Sequence, residues 1–408
     1  MNNAIIVLNA GSSSLKFSIF AVVDNKLSVR ARGQIEGLGT TPRFKARDHR
    51  GQPLADSVVD GSTKSFGHHE AFAYLADWMR SNLRGELNPL AVGHRMAHGG
   101  MDFVEPVLID ADVLARLEKL NPLVPLHQPH NIAAIKAVTA LRPDLQQVAC
   151  FDTAFHRGRA GVTERFGLPD ELFRLGLRRW GFHGLSYDSI SRQFRQIAPE
   201  TAAGRVIVAH LGSGASLCAM KGGRSVDTTM GFSALDGVPM GTRCGSLDPG
   251  VILFLLHQGW NAQRIEDLLY KKSGLIGISS VSNDVRELQK SDQPLAAEAI
   301  EFFVYRVARE IGSLAAALSG LDALIFTAGI GENSPVIRGK ICRQCAWLGV
   351  SIESDANLHN KLRISSPGKT PSVWVIPTDE EGVIAAQTHR LLSALAQQAQ
   401  ITEKTLIS

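Results

Sequence analysis

Residues 5–17, IIVLNAGSSSLKF, and residues 206–218, VIVAHLGSGASLC, decide the architecture. Each runs from an apolar strand through a Gly/Ser turn into a second strand, and when they are aligned Gly11 falls on Gly212 and Ser12 on Ser213. Around the first stretch, residues 4–9 read as a strand and Leu15, Phe17 and Ile19 alternate with Lys16, Ser18 and Phe20 in the next. Asp24 and Asn25 then turn the chain into a third strand opened by Leu27, Val29 and Ala31. Around the second stretch the same meander recurs, with strands at 206–210, 216–220 and 225–229 and a turn at Gly222 and Gly223. A unit repeated after about two hundred residues predicts two similar domains.

The rest of the chain supplies helices and further strands. Residues 70–83 carry Phe72, Leu75, Met79 and Leu83 at helical spacing. Residues 296–319 carry a longer stripe of Ile300, Phe303, Val304, Val307, Ile311, Leu314 and Leu318, stopped by Gly320. A closing helix is predicted over 384–400, and short apolar strands at 148–151, 323–327 and 373–377. Meanders plus helices indicate an α/β protein. No low-complexity linker separates the halves, and the extended run VACFD ends at Asp152, which places the boundary there. A cleft between the domains is the natural ligand site.

Composition fits this reading. At about 150 residues per domain, 408 residues allow two or three domains and a core large enough to need no disulfides. Apolar residues at 44% and charged residues at 20% exclude extensive disorder. Glycine, at 38 residues, is in mild excess and points to many tight turns or close backbone approaches. The balance of 43 basic and 39 acidic residues is a weak field for this size. Arg30, Arg32, Arg43, Lys45, Arg47 and Arg50 could form a nucleic-acid patch, but Arg30 and Arg32 alternate with Val29 and Ala31 as a solvated strand face does.

Nothing at the N-terminus resembles a signal peptide, and the most apolar long region, 311–330, is broken by Ser319, Gly320 and Asp322. With five scattered cysteines, a cytoplasmic location is expected, with no membrane or nucleic-acid partner. Cys342 and Cys345 form a C-x-x-C, which without a second pair or a histidine cluster is weak evidence for zinc or redox chemistry.

The two Gly/Ser turns, NAGSSSLK and HLGSGAS, expose amides and hydroxyls that can donate to phosphate oxygens, and Lys16 adds a point charge. Each alone reads as a hairpin with no ligand. Two homologous turns in opposite halves fit a nucleotide held by one loop from each side. Neither is a P-loop, since G-x-x-x-x-G-K-[ST] occurs nowhere. A third glycine cluster, LIFTAGIGEN at 324–333, follows a strand, with Gly329 and Gly331 permitting close approach of a ligand and Glu332 and Asn333 offering hydrogen-bonding groups. Ser334 replaces the third glycine of a dinucleotide fingerprint, which demotes a nicotinamide oxidoreductase. His94, Arg95 and His98 in GHRMAHGG, Asp152 in VACFDTAFH, His183 in RRWGFHG and Arg243 in MGTRCGSLDPG stand beside glycines or at a strand end. Singly such residues are more often structural. Together, without metal-ligand spacing of Cys and His, they suit an anionic substrate and a phosphoryl group.

In order and spacing, NAGSSSLKFSIF, GHRMAHGG, PLVPLHQPHN, FDTAFH, GFHGLS, HLGSGASL, MGTRCGSLDPG, FTAGIGENS and IPTDEE resemble the acetate kinases over essentially the whole chain. The resemblance implies two duplicated actin-like ATPase (ribonuclease H-like) domains with an interdomain nucleotide cleft. The first would hold residues 1–152 with 385–408, and the second residues 153–384. It implies reversible Mg²⁺-dependent transfer of the ATP γ-phosphoryl group to acetate, giving acetyl phosphate and ADP. Mn²⁺ would stand in for Mg²⁺, and the enzyme would be a homodimer.

Position by position, the resemblance makes Asp152 the catalytic aspartate, His183 and Arg243 the transition-state stabilisers, and Arg95 the carboxylate-binding arginine. Asn9 and Glu380 become metal-associated. Lys16, His210, Leu211, Gly212, Ser213, Gly214, Asp284, Val285, Arg286, Gly329, Ile330, Gly331, Glu332 and Asn333 become nucleotide contacts. These residue types suit phosphoryl transfer, which asks for alignment and charge neutralisation more than covalent chemistry. Direct in-line transfer is therefore expected.

Two departures stand out. Ser213 replaces the asparagine of the usual HLGNG, keeping a short donor and acceptor. In the pocket for the substrate's alkyl end, Ala97 replaces a usual valine and Ala234 a usual proline, while Leu126 and Phe182 are as expected. Both changes remove bulk, so propionate kinase activity is the alternative. An actin-like structural or chaperone ATPase would share the phosphate turns without needing Arg95, Asp152 and His183 together.

Overall fold

The computed structural model describes residues 2–59, 66–83 and 85–407, and the side chains of these up to residue 402. The chain forms two compact units, Met1–Ala154 with Asp379–Ser408, and Phe155–Thr378.

In the first unit, β1 (Asn2–Ala10), β2 (Ser14–Val23) and β3 (Lys26–Glu36) form the antiparallel meander. β4 (Arg43–Asp48) and β5 (Pro53–Val58) extend it. On its other side β1 pairs in parallel with β6 (Leu87–Met96), and β6 with β8 (Gln146–Phe151), while β7 (Val107–Leu108) closes the edge. The run Ala4–Leu8 is apolar at every position because β1 is covered on both faces. Ala4, Ile6 and Leu8 pack with Phe72 and Leu75 of the helix His68–Asn82 and Val138 of the helix Gln128–Leu141. The opposite face takes the helix Glu380–Ile407. It approaches so closely that a β-carbon on Gly93 would stand 2.5 Å from Thr388 Oγ1 and 2.7 Å from Ile384 Cγ2. Only glycine fits there.

In the second unit, β9 (Arg205–Leu211), β10 (Ala215–Lys221) and β11 (Arg224–Thr228) form the antiparallel meander, and β12 (Ala323–Thr327) and β13 (Ser372–Val375) add in parallel. The order β11-β10-β9-β12-β13 repeats β3-β2-β1-β6-β8 strand for strand, with the same antiparallel and parallel senses. The two units are thus versions of one α/β design. Val206, Val208 and Ile325 pack under Tyr187, Ile190 and Phe194 of the helix Gly184–Ile197. The 25-residue helix Pro294–Leu318 lies against β9, β10 and β11, and its predicted apolar stripe is buried.

Some local expectations shift. The C-terminal helix begins at Glu380, four residues earlier than the apolar pattern shows, because Glu380 and Glu381 suit the positive end of its dipole. The last strand stops at Val375. Four of the six basic residues from Arg30 to Arg50 are ion-paired: Arg30 with Glu86, Arg32 with Asp379, Arg43 with Asp56 and Lys45 with Glu36. Cys342 and Cys345 are both buried and unbridged, and burial pushes the Cys345 thiol up to about 12, out of reach of thiolate chemistry. Among the described residues no helix is long and apolar enough to cross a membrane.

Candidate active site

In the first unit three neighbouring parallel strands end together. Asn9 lies near the carboxyl end of β1, Arg95 near that of β6, and Asp152 directly follows β8, with its N–H donating to the Met96 carbonyl at 2.9 Å. Carboxyl ends of parallel strands are where α/β sheets place ligands. Arg95 Nε and Nη2 both donate to Asp152 Oδ2, at 3.1 and 2.5 Å, and its Nη1 donates to Asn9 Oδ1 at 3.3 Å. Asp152 is 1% exposed, and its Oδ1 is buried with no hydrogen-bond partner.

Burial alone would lower the Arg95 guanidinium, but the charges of Asp152 and Glu380 hold it above its ordinary value. Glu380, the first residue of its helix, is pushed by burial up to about 7, with Asp152 and Glu381 adding to the rise and Arg95 and Lys16 opposing it. Lys16 is exposed on β2, in register with Asn9. Ala97 is buried, its N–H donating to Asn131 Oδ1 at 3.1 Å. Leu126 is half-buried in the turn before the helix Gln128–Leu141.

In the second unit His183 precedes the helix Gly184–Ile197 with φ 56° and ψ 25°, a left-handed conformation that is costly for a side-chain-bearing residue and that collects at functional sites. Its ring stacks on His210 with centroids 4.2 Å apart, and its Nδ1 lies 2.8 Å from Ser216 Oγ. Gly212 and Gly214 turn the chain from β9 into β10, the Gly212 N–H donating to the Gly214 carbonyl at 3.0 Å. A β-carbon on Gly214 would stand 3.3 Å from His183 Nε2 and 3.9 Å from Arg243 Nη1. The side of Gly214 that lacks a side chain is therefore faced closely by an imidazole edge and a guanidinium. Arg243 is held by Nη1 donating to the Ala234 carbonyl at 3.2 Å, and the Gly241 N–H of the same loop donates to the Ser213 carbonyl at 3.3 Å. Ala234 and Phe182 are buried and Ser213 is exposed.

The third glycine cluster is a short helix, Ala328–Asn333, rather than an open loop. A β-carbon on Gly212 would stand 3.6 Å from Ala328 Cβ, so the two glycine turns adjoin. Glu332 Oε1 accepts from the N–H groups of Ala328 and Thr378 at 2.8 and 3.1 Å, and Asn333 Nδ2 donates to the Gly329 carbonyl at 2.9 Å. Both polar side chains thus make structural bonds, leaving exposed Gly329 and half-buried Ile330 as the open part. Asp284 caps the helix Val285–Leu288 and pairs with exposed Arg286, while Val285 is buried.

Residues absent from the sequence reading complete the support. Arg338, fully buried and facing no carboxylate in its hydrogen bonds, donates to the carbonyls of Gly331, Glu332 and Asn357 and to the side-chain oxygens of Asn357 and Asn360. It holds the end of the Ala328–Asn333 helix. His156 donates from Nε2 to the Phe182 carbonyl at 2.9 Å and accepts at Nδ1 from Ser225 Oγ at 2.8 Å, fixing the residue before His183. The Gly-rich neighbourhoods in the sequence mark these segments, but not the side chains that brace them.

The model of the acetokinase family matches residues 4–386. An acetate kinase of Nitrobacter hamburgensis is 50% identical over 392 residues, 96% of each chain. Among solved structures, a propionate kinase from Francisella tularensis aligns with a TM-score of 0.86 at 36% identity, covering 94% of this chain and 98% of that one. An acetate kinase of Porphyromonas gingivalis aligns with a TM-score of 0.85 at 36% identity, covering 96% of this chain and 100% of that one. Its fold is accordingly that of the actin-like ATPases, ATP is its co-substrate, and the chain belongs to the acetokinase family.

Proposed function

We propose that the chain is an acetate kinase, moving the γ-phosphoryl group of ATP reversibly onto the carboxylate of acetate. The observation that carries this reading is the convergence of His183 Nε2 and Arg243 Nη1 on the space beside Gly214. Two donors there would neutralise charge on a phosphoryl group in transit, the main task in this chemistry. Arg95 holds the acceptor carboxylate and Asp152 fixes Arg95, so that a carboxylate oxygen attacks phosphorus in line and no phosphoenzyme forms. Lys16 and the segments at Gly212, Asp284 and Gly329 hold the nucleotide.

Asn9, Asp152 and Glu380 offer only oxygen, and Asp152 Oδ1 is a buried oxygen without a hydrogen-bond partner. That set fits a hard cation such as Mg²⁺, which keeps several waters and takes one or two carboxylates, with Mn²⁺ as a substitute. When bound, the cation supplies charge to the phosphate oxygens.

A second reading, propionate kinase, is favoured by the two small buried residues Ala97 and Ala234. We place the enzyme in the cytoplasm, in keeping with its unbridged cysteines, and as a homodimer. The helix Pro249–His257 turns Leu253, Phe254 and Leu256 to the surface, an apolar face suited to a second copy. Light scattering tests the dimer.

The activity is tested with ATP, Mg²⁺ and hydroxylamine plus acetate or propionate. Acetohydroxamate should form only when acetate is present, and ATP consumption with no hydroxamate from either acid would overturn the reading.

A further inference from the structure

We infer that Ser216 and Tyr187 are positioning residues that keep the proton of neutral His183 on Nε2, the edge facing the space beside Gly214. The inference rests on the reading of His183 as a donor to the phosphoryl group.

Ser216 Oγ lies 2.8 Å from His183 Nδ1 and 2.5 Å from Tyr187 Oη. Ser216 and Tyr187 are both fully buried, so this is a fixed chain of three groups and not a surface contact. A serine hydroxyl carries one proton, and Ser216 Oγ has no third partner among the described residues, so that proton goes either to Tyr187 or to His183. Of the two hydroxyls the phenol is the more acidic and hence the better donor, while its oxygen, conjugated with the ring, is the poorer acceptor. The chain therefore runs from Tyr187 O–H to Ser216 Oγ and from Ser216 O–H to His183 Nδ1. An imidazole that accepts at Nδ1 carries its proton on Nε2.

The reverse order would aim a bare Nε2 lone pair at the site where Arg243 Nη1 also arrives. Beside anionic phosphoryl oxygens that lone pair would repel. Backbone and packing support the same outcome. The left-handed conformation of His183 and its stacking on His210 fix the ring plane, and Tyr187 is anchored in the core under β9 and β10. His210 repeats the arrangement, its Nδ1 lying 2.8 Å from Ser186 Oγ.

The test is ¹⁵N NMR of histidine-labelled full-length protein without substrate, at a pH where the His183 imidazole is neutral, with His183→Gln identifying the signals. The inference expects a pyrrole-like Nε2 and a pyridine-like Nδ1 for His183. Ser216→Ala should mix or reverse the tautomers and lower kcat by about tenfold or more, the order expected when one preorganised donor is weakened, with little change in either KM. Ser216→Thr, which keeps the hydroxyl, should restore both readouts, and the isosteric Tyr187→Phe should shift the tautomer partway. A pyrrole-like Nδ1 in the unaltered protein, or an unchanged tautomer in both Ser216→Ala and Tyr187→Phe, overturns the inference. Full turnover by His183→Gln, alongside the expected tautomer signals, would instead overturn the catalytic reading of His183 and leave the assignment standing.

Discussion

Arg95 places two hydrogen bonds on one oxygen of Asp152 and leaves the other oxygen buried without a partner. The pair is held apart from solvent, the Asp152 side chain being 2% exposed and that of Arg95 19%. Removing one member of a buried pair strands the other's charge, at a cost of about 3–5 kcal/mol. Arg95→Ala should therefore lower stability in urea unfolding by that order and raise the KM for acetate. Asp152→Asn, which keeps shape and one acceptor, should lose less stability but about a hundredfold in kcat, the loss expected when the group that positions the acceptor is itself misplaced. Unchanged urea midpoints in Arg95→Ala would show that the pair is not buried as described.

Gly214 and Arg243 test the approach of His183 and Arg243 to the second unit's glycine turn. Gly214→Ala adds a methyl 3.3 Å from His183 Nε2, in a segment with no positive-φ demand. Turnover should fall by about tenfold or more while the melting temperature stays within a few degrees, because the methyl obstructs a donor and not a packed core. Arg243→Ala should lower kcat by about a thousandfold or more, by analogy with arginines that stabilise phosphoryl transfer. Near-normal turnover in either variant would remove the convergence at Gly214 from the mechanism.

Two buried histidines set a pH dependence of stability. Burial lowers His94 from 6.5 to about 4, with its hydrogen bond to Gln147 opposing. Burial also lowers His156 to about 3, with Arg159 adding to the fall and the Phe182 carbonyl opposing. Between pH 6.5 and these values the unfolded chain binds protons that the folded chain does not. Their stabilising contribution is complete above pH 6.5 and is lost as the pH falls toward 4. Urea midpoints should decline between pH 6.5 and 5, and the decline should be shallower in His94→Gln. Equal slopes in the two proteins would contradict the burial of a neutral His94.

The meanders were legible because strand segments covered on both faces must be apolar, as Ala4–Leu8 of β1 and Val206–Ala209 of β9 are, and because the turns at Gly11 and Gly212 repeat. The helix Ala328–Asn333 was not, since two glycines in six residues argue against a helix. It exists because Glu332 bonds the Ala328 N–H and Arg338 clamps its far end. Arg95 and Asp152 could be found because each sits near a strand end. The contact of Tyr187 with Ser216 could not, since it depends on a helix crossing the sheet at one register between residues 29 positions apart. A fully buried Arg338 likewise contradicts the ordinary expectation for arginine, and only the ring of backbone carbonyls around it explains it.

Under the proposed function, Ala97 and Ala234 each remove bulk near the substrate's alkyl end. A methylene in such a pocket discriminates by roughly 10–200-fold. The ratio of kcat/KM for acetate over propionate should therefore stay below about a thousand, and Ala97→Val should raise it. A ratio above about a thousand in the unaltered protein would contradict an enlarged pocket.

The central claim, that a carboxylate oxygen of the acceptor attacks the γ-phosphorus of ATP, is tested most directly by ³¹P NMR of the reaction run with ¹⁸O-labelled acetate. The account predicts an acyl phosphate resonance displaced by the isotope shift of one bridging ¹⁸O, growing in step with ADP. ADP accompanied only by inorganic phosphate, or an acyl phosphate with no isotope shift, would contradict it.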